Sequence, residues 1–171
     1  MGTIQQVTAA QARAMLEGLT RLLQDAVESG ASVGFLPPLD AATAHTYWGK
    51  TINEVQHEER LLWVACQDSD IVGTVQLALA LQPNARHRAE VQKLIVHTRQ
   101  RRQGLGQALM RAVEDAARRL GRSVLVLDTR RGDVSEVLYQ KLGYTLVGSI
   151  PQYARSASGA LEATAIYYRL L

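Results

Sequence analysis

Apolar positions recur along the chain with two distinct periods, and the switches between them mark out its elements. Thr3 to Val7 is short enough for a single strand. Ala12, Met15, Leu16, Leu19, Leu22, Leu23 and Ala26 then follow at spacings of three and four, one face of a helix, and Gly30 supplies its stop. Residues 30–39 read as a loop, because Pro37 and Pro38 forbid regular helix. Asp40 is a good N-cap for a second helix running to about Glu59, with Trp48, Ile52 and Val55 as its buried stripe. Leu61–Cys66 and Ile71–Leu81 are strands of a hairpin turned at Asp68–Asp70. Beyond the loop at Pro83–Arg88, an apolar, β-branched run ends at Val96 as a buried strand would. Leu105, Ala108, Leu109, Ala112, Val113, Ala116 and Leu120 trace the next helix. Ser123–Leu127 is a further strand ending at Asp128-Thr129, and Gly132–Leu142 a short helix closed by Gly143. Tyr144–Ile150 and Glu162–Leu170 are the last strands, separated by a loop holding Pro151 and Gly159.

A strand–helix–strand unit in the middle of this order demands a right-handed parallel crossover, whereas the hairpin and the two tail strands are antiparallel. The expected fold is α/β: a mixed, mostly antiparallel sheet with a central parallel β-α-β unit and helices on both faces. There is no repeat, low-complexity tract or linker, and 171 residues suit one domain over residues 1–171.

Composition narrows the class. A hydrophobic content of 47% against 20% charged residues belongs to a folded chain rather than a disordered one. No apolar run approaches the ~18 residues of a membrane span, and no signal peptide precedes Thr3, so no membrane partner is expected. The single Cys66 cannot form an internal disulfide and suits a reducing cytoplasm, as a structural thiol rather than a nucleophile. The net charge of +3 comes mostly from arginine, concentrated at 99–102 and 118–122 rather than along a stripe with interleaved aromatics. That distribution argues for a polyanionic small ligand and against nucleic acid.

The stretch that organises the chain is Glu90 to Leu109. A buried strand runs into a basic loop (Arg99, Arg101, Arg102), and Gly104 and Gly106 open a helix. The first amides of a helix lack internal partners and carry about half a positive charge, so this arrangement can hold a phosphate. A solvated basic turn before an ordinary helix is the competing reading. The loop is not a nucleotide P-loop, since Gly-x-x-x-x-Gly-Lys-Ser/Thr is missing. A dinucleotide fingerprint finds its acid in Asp128, but its third glycine is Leu109 and seven residues separate Val96 from Gly104.

The pattern Arg/Gln-x-x-Gly-x-Gly/Ala is met by Arg101, Gly104 and Gly106. It resembles the acetyl-CoA pyrophosphate loop of the GNAT superfamily of N-acetyltransferases, in which the preceding strand carries a bulge. Alternation here falters between Gln92 and Ile95, as a bulge requires. The element order is that of GNAT domains, and Tyr139-x-x-x-Gly143-Tyr144 is similar to the family's second landmark. Gly30–Phe35, Arg88–Leu94 and Thr164–Tyr168 further resemble the tabtoxin resistance acetyltransferases, which acetylate the amino group of a β-lactam-containing toxin.

The resemblance implies acetyl-CoA as cosubstrate, no metal, and a small-molecule amine as acceptor. It leaves room for a homodimer. It places cofactor contacts on Leu94, Ile95 and Val96 of the strand and on Arg101, Arg102, Gln103, Gly104, Leu105, Gly106 and Gln107 of the loop. Ser135 stands in for the family's asparagine, because Gly132 and Asp133 occupy the positions where that residue is usual. Tyr139 falls where the family's tyrosine lies near the cofactor sulfur. Phe35 and its loop are expected to line the acceptor pocket.

Deprotonating a lysine-like amine at pH 7 costs about 4–5 kcal/mol, an α-amino group only about 1–1.5, and releasing a thiolate roughly 2. A base therefore matters most. Glu90 and Asp128 are the candidates for it, by resemblance, with acceptor contact as a second role. Ion pairs of Glu90 with Arg88 or Lys93, and of Asp128 with Arg130, are the competing readings. Parallel strands start at one edge, so these two positions share a cleft only if the strands splay or are offset. His45, His57, His87 and His97 lack metal-ligand spacing, and no Gly-x-Ser-x-Gly elbow is present. Two other classes remain open: a non-catalytic acyl-CoA-binding module and a dinucleotide-dependent oxidoreductase.

Overall fold

A computed structural model describes residues 3–171. The strands are β1 (Thr3–Val7), β2 (Arg60–Gln67), β3 (Asp70–Leu79), β4 (Arg88–Val96), β5 (Val124–Arg130), β6 (Thr145–Arg155) and β7 (Leu161–Leu170). The helices are α1 (Ala9–Ala14), α2 (Leu16–Glu28), α3 (Ala41–Gln56), α4 (Leu105–Arg119) and α5 (Ser135–Lys141). All strands join one sheet in the order β1-β2-β3-β4-β5-β7-β6, and β4–β5 is its parallel pair. The expected fold class stands.

Alternation sorts the two faces. Leu62, Val64, Ile71 and Ile95 pack under α2 and α3 with Leu19, Leu22, Leu23, Trp48 and Ile52. Trp63, Ala65, Val75, Leu77, Ala89, Val91, Leu125 and Leu127 face the other way, onto Leu109, Met110 and Val113 of α4. Trp48 has no exposed surface. Local signals behave as chemistry dictates. Asp40 accepts from the Thr43 amide at 2.7 Å as the N-cap of α3. Asp68 and Ser69 both have positive φ, as a two-residue hairpin turn with the sheet's own twist needs.

Three expectations need correcting. The first helix is two helices, broken at Met15 (φ −97, ψ 5). A box between Thr8 and Gln11 caps α1, which leans on α3, while α2 lies on the sheet. A Cβ on Gly18 would come 3.0 Å from Ile71, so the α2 backbone sits directly on β3 there. Pro151 is not in a loop but inside β6, where pairing with β7 slips between Ile150 and Ala154. An edge strand tolerates this because one row of its amides needs no partner. The short helix before Gly143 starts at Ser135 rather than Gly132, since Gly132 (φ +82) belongs to the preceding turn.

The central feature for function is where β4 and β5 part. Their register runs only through Arg88–Val124, Ala89–Leu125 and Glu90–Val126. Beyond it β5 stays with β7 as far as Arg130–Thr164. β4 stays with β3, and there the register jumps from Gln76–Gln92 to Thr74–Ile95, the bulge that the faltering alternation predicts. Lys93, inside the bulge, has φ +50. A wedge therefore opens between the C-terminal halves of β4 and β5.

Candidate active site

The wedge has two walls and a mouth. At the mouth, Thr98–Gln100 forms one 3₁₀ turn, Arg102 has φ +63 and Gly104 has φ +83. Positive φ is unstrained at glycine, and it lets the chain turn sharply into α4. The first α4 bond runs from the Ala108 amide to the Gly104 carbonyl at 3.1 Å. Gly104 offers no side-chain cap, and among the described residues the amides of Leu105, Gly106 and Gln107 find no acceptor. These donors all point out of the start of a 15-residue helix, where they can receive an anion. A Cβ on Gly106 would lie 3.4 Å from Leu138 and 3.8 Å from Val96, so α4 packs closely on α5 and β4.

The predicted cofactor residues divide here. Arg102, Gln103 and Gly104 are exposed at the mouth, and Gly106 and Gln107 are half-buried. Leu105 is a core residue, so only its amide, not its side chain, is free at the mouth. Arg101 acts as a brace: its guanidinium donates to the Val96 carbonyl at 3.1 Å and to the Ser29 hydroxyl at 2.8 Å. Asp25 of α2 completes the fastening, accepting from the Thr98 amide at 2.9 Å and hydroxyl at 2.8 Å. Nothing in the sequence flagged Asp25 or Ser29, since their partners lie over seventy residues away. Leu94 and Val96 are half-buried and Ile95 is buried on the β4 flank of the wedge. The Ser135 hydroxyl is shared with Thr129 at 2.7 Å. Asp133 caps the Ser135 amide at 3.0 Å and pairs with Arg130 at 3.2 Å, so it organises the start of α5.

Glu90 and Asp128 lie on the same face of the sheet, the α2–α3 face. Their neighbours Ala89, Val91, Leu125 and Leu127 all point into the α4-side core, so both carboxylates point the other way. Glu90 pairs with Val126, two residues before Asp128. The splay supplies the condition that the sequence left open. Neither competing ion pair is present among the described residues. Asp128 accepts from the Thr164 hydroxyl at 2.9 Å, while Arg130 turns to Asp133 and to the Gly30 carbonyl at 3.1 Å.

Opposite these carboxylates stands an aromatic wall. Phe35 packs edge-on against Tyr47 at 5.4 Å, and Tyr47 against Trp48 at 5.1 Å. The Tyr47 hydroxyl accepts from the Gln76 amide at 2.9 Å. Gln76, fully buried, in turn accepts from Arg60 at 2.9 Å. Arg60 also reaches Gln92 at 2.6 Å and pairs with Glu54. Burial, the dominant cause, holds the Tyr47 phenol above its ordinary pKa.

Tyr139 lies across the sheet, in the α4-side core, with ring centroids 5.9 Å from Tyr144 and 6.0 Å from Tyr167. Burial first, and the negative charges of Asp133 and Asp128 second, push its phenol well above the usual range. It therefore keeps its proton at any working pH. Among the described residues its hydroxyl has no hydrogen-bond partner, unlike that of Tyr167, which donates to Glu136.

A parted parallel strand pair, an open helix mouth beside it, and two carboxylates on one face of the sheet with a protonated phenol on the other suit a domain for acyl transfer from a phosphate-bearing carrier. The chain belongs to the acetyltransferase (GNAT) family, whose model matches residues 16–144. Acetyl-CoA is the cosubstrate of that family. Human N-acetyltransferase 8B is 39% identical over 88 residues, 50% of this chain and 39% of that protein, so the chain spans well under half of this relative's length. A ribosomal-protein-alanine N-acetyltransferase from Brucella melitensis superposes with a TM-score of 0.77 over 99% of both chains at 21% identity. A candidate acetyltransferase from Salmonella typhimurium, solved with its cofactor acetyl-CoA, gives 0.78 over 100% of this chain and 94% of its own at 20% identity. Among the described residues no cluster of His, Cys, Asp and Glu could hold a metal ion, and no helix is long and apolar enough to cross a membrane.

Proposed function

We propose that this protein moves an acetyl group from acetyl-CoA to the amino group of a small molecule, a toxin- or antibiotic-like amine being the favoured class. The observation that carries the reading is the uncapped mouth of α4 opening beside the wedge between β4 and β5. The amides of residues 104–107 and the adjacent guanidinium of Arg102 bind the diphosphate. The unpaired edge of β4 beyond Glu90 takes the pantetheine arm, and a main-chain amide near Leu94–Val96 faces the developing oxyanion.

Bound there, acetyl-CoA supplies an activated thioester carbonyl. The chain's own residues supply the rest. Glu90 or Asp128, directly or through water, removes the proton that the amine must lose. The amine nitrogen bonds to the carbonyl carbon, the carbon–sulfur bond breaks, and the Tyr139 hydroxyl donates a hydrogen bond to the departing sulfur. Phe35 borders the acceptor.

Calorimetry with acetyl-CoA, followed by a CoA-release assay over an amine panel that includes β-lactam toxin analogues, tests this. Micromolar binding and turnover with at least one amine are expected. Binding without turnover would leave an acyl-CoA-binding module, and absence of binding would end the reading.

A further inference from the structure

Lys93 occupies the strained position of the β4 bulge, φ +50, where a non-glycine residue is rare. Bulges re-aim side chains, and this one sends a lysine onto the acceptor wall. Its ammonium lies 5.7 Å from the centroid of the Tyr47 ring. A Cβ placed on Gly34 would sit 3.7 Å from the same nitrogen, so the loop before α3 passes directly over it. Tyr47 is itself held by the Gln76–Arg60 network, which makes this wall rigid.

Lys93 is half-buried, yet among the described residues it forms no ion pair and no hydrogen bond. Arg60, the other cation here, is already satisfied by Glu54, Gln76 and Gln92. Burial, with help from Arg60, lowers the Lys93 pKa, and attraction to Asp128 and Glu90 opposes that without cancelling it. The site thus presents two carboxylates where the amine must lose its proton, and to one side a cation that has neither an ion-pair nor a hydrogen-bond partner among the described residues.

We propose that Lys93 anchors a carboxylate carried by the acceptor, so that the preferred substrates are amino-acid-type amines. This rests on the acetyltransferase reading above. A zwitterion matches the pocket's polarity: its ammonium faces Glu90 and Asp128, and its carboxylate completes Lys93 with a charge-assisted hydrogen bond. Simple amines and polyamines leave Lys93 unpaired. The rival account is internal neutralisation, in which Lys93 only offsets Glu90 and Asp128.

The test pairs acceptors that differ only in the anion: the best free amino acid of the panel and its methyl ester, assayed on the full chain. In Lys93→Met, kcat/KM for the free acid should fall roughly 10–100-fold, mostly through KM, the range expected for a hydrogen bond to a charged group. The ester should change less than about threefold. Lys93→Arg keeps the charge and the same bulge backbone, and should retain most discrimination; melting temperatures of both variants check the fold. Equal losses for acid and ester, or no loss for either, would overturn the anchor while leaving the acetyltransferase reading intact. If wild-type protein acetylates no amine, both fall together.

Discussion

At the mouth of α4 the groups proposed to meet the ligand are main-chain amides within one continuous stretch, residues 104–107. Across the wedge they are side chains, contributed by Phe35, Tyr47, Glu90, Lys93 and Asp128 from widely separated segments. On the proposed function the first region recognises what every reaction of this family shares, the diphosphate of the acyl carrier, and needs only backbone geometry for it. The second recognises what differs, the acceptor, and needs particular functional groups. Substitutions should therefore split: those at the mouth alter cofactor affinity through conformation, and those on the wall alter chemistry and choice of acceptor.

The largest separation is expected from Glu90→Gln combined with Asp128→Asn. Losing general-base assistance should lower turnover about 10²–10⁴-fold for an amine with pKa near ~10.4. The loss should shrink for an amine near ~8, which is already partly neutral at pH 7. Acetyl-CoA affinity by calorimetry should stay within about threefold, because neither side chain is at the mouth. Unchanged kinetics across the pH range would remove the base. Each single variant shows which carboxylate carries it.

Gly104→Val inverts that signature. A Cβ at Gly104 meets nothing within 4 Å, so the burden is not steric. It is the φ of +83, which a β-branched residue adopts only at about 1–3 kcal/mol. Relaxation of that turn would disperse the amides, and acetyl-CoA should bind roughly 10–100-fold more weakly if that strain is relieved by rearranging the loop. Gly106→Ala is the matched control. Its φ is ordinary and its Cβ would meet Leu138 at 3.4 Å, an ordinary contact, so affinity should hardly move. If the two substitutions weaken acetyl-CoA equally, the mouth is not working through backbone conformation.

The same contrast explains what is legible in the amino-acid sequence. The mouth is a local object. Arg101, Gly104 and Gly106 sit within six residues, and the period of Leu105 to Leu120 announces the helix. The bulge was visible as a fault in the alternation between Gln92 and Ile95, and the resemblance nominated two carboxylates on neighbouring strands. The wall was not visible. Tyr47 reads as a helix aromatic, Gln76 as a strand polar residue and Arg60 as a hairpin charge, and only the sheet register brings them together. Arg101 shows the opposite failure: its place in the motif is plain in the sequence, but tertiary fastening to Val96 and Ser29 occupies its side chain. The break at Met15 escaped for a related reason. Its cause is the separate support of α1 by α3 and of α2 by the sheet, which a single stretch of sequence does not encode.

Tyr139, in the α4-side core, belongs to neither region, and its substitution should have the smallest effect. The phenol is held protonated by burial, so it enters the reaction as a donor. A thiol of pKa about 8.5 is much the stronger acid, and the proton therefore remains on the tyrosine oxygen when the sulfur departs. In the proposed reaction the hydroxyl would stabilise the thiolate without neutralising it, and releasing that thiolate at pH 7 requires only roughly 2 kcal/mol. Tyr139→Phe should thus slow turnover about tenfold and leave acetyl-CoA affinity unchanged, since the group lost is the one proposed to face the sulfur rather than the diphosphate. Stability should hold as well. The hydroxyl has no partner among the described residues, and phenylalanine keeps the ring packed between Tyr144 and Tyr167. A slower rate at an unchanged melting temperature is the signature of a donor; a wild-type rate would mean that the ring only packs. Repeating the comparison with a thioester whose leaving thiol is more acidic sharpens the result, because the Tyr139→Phe deficit should shrink as the sulfur leaves more easily.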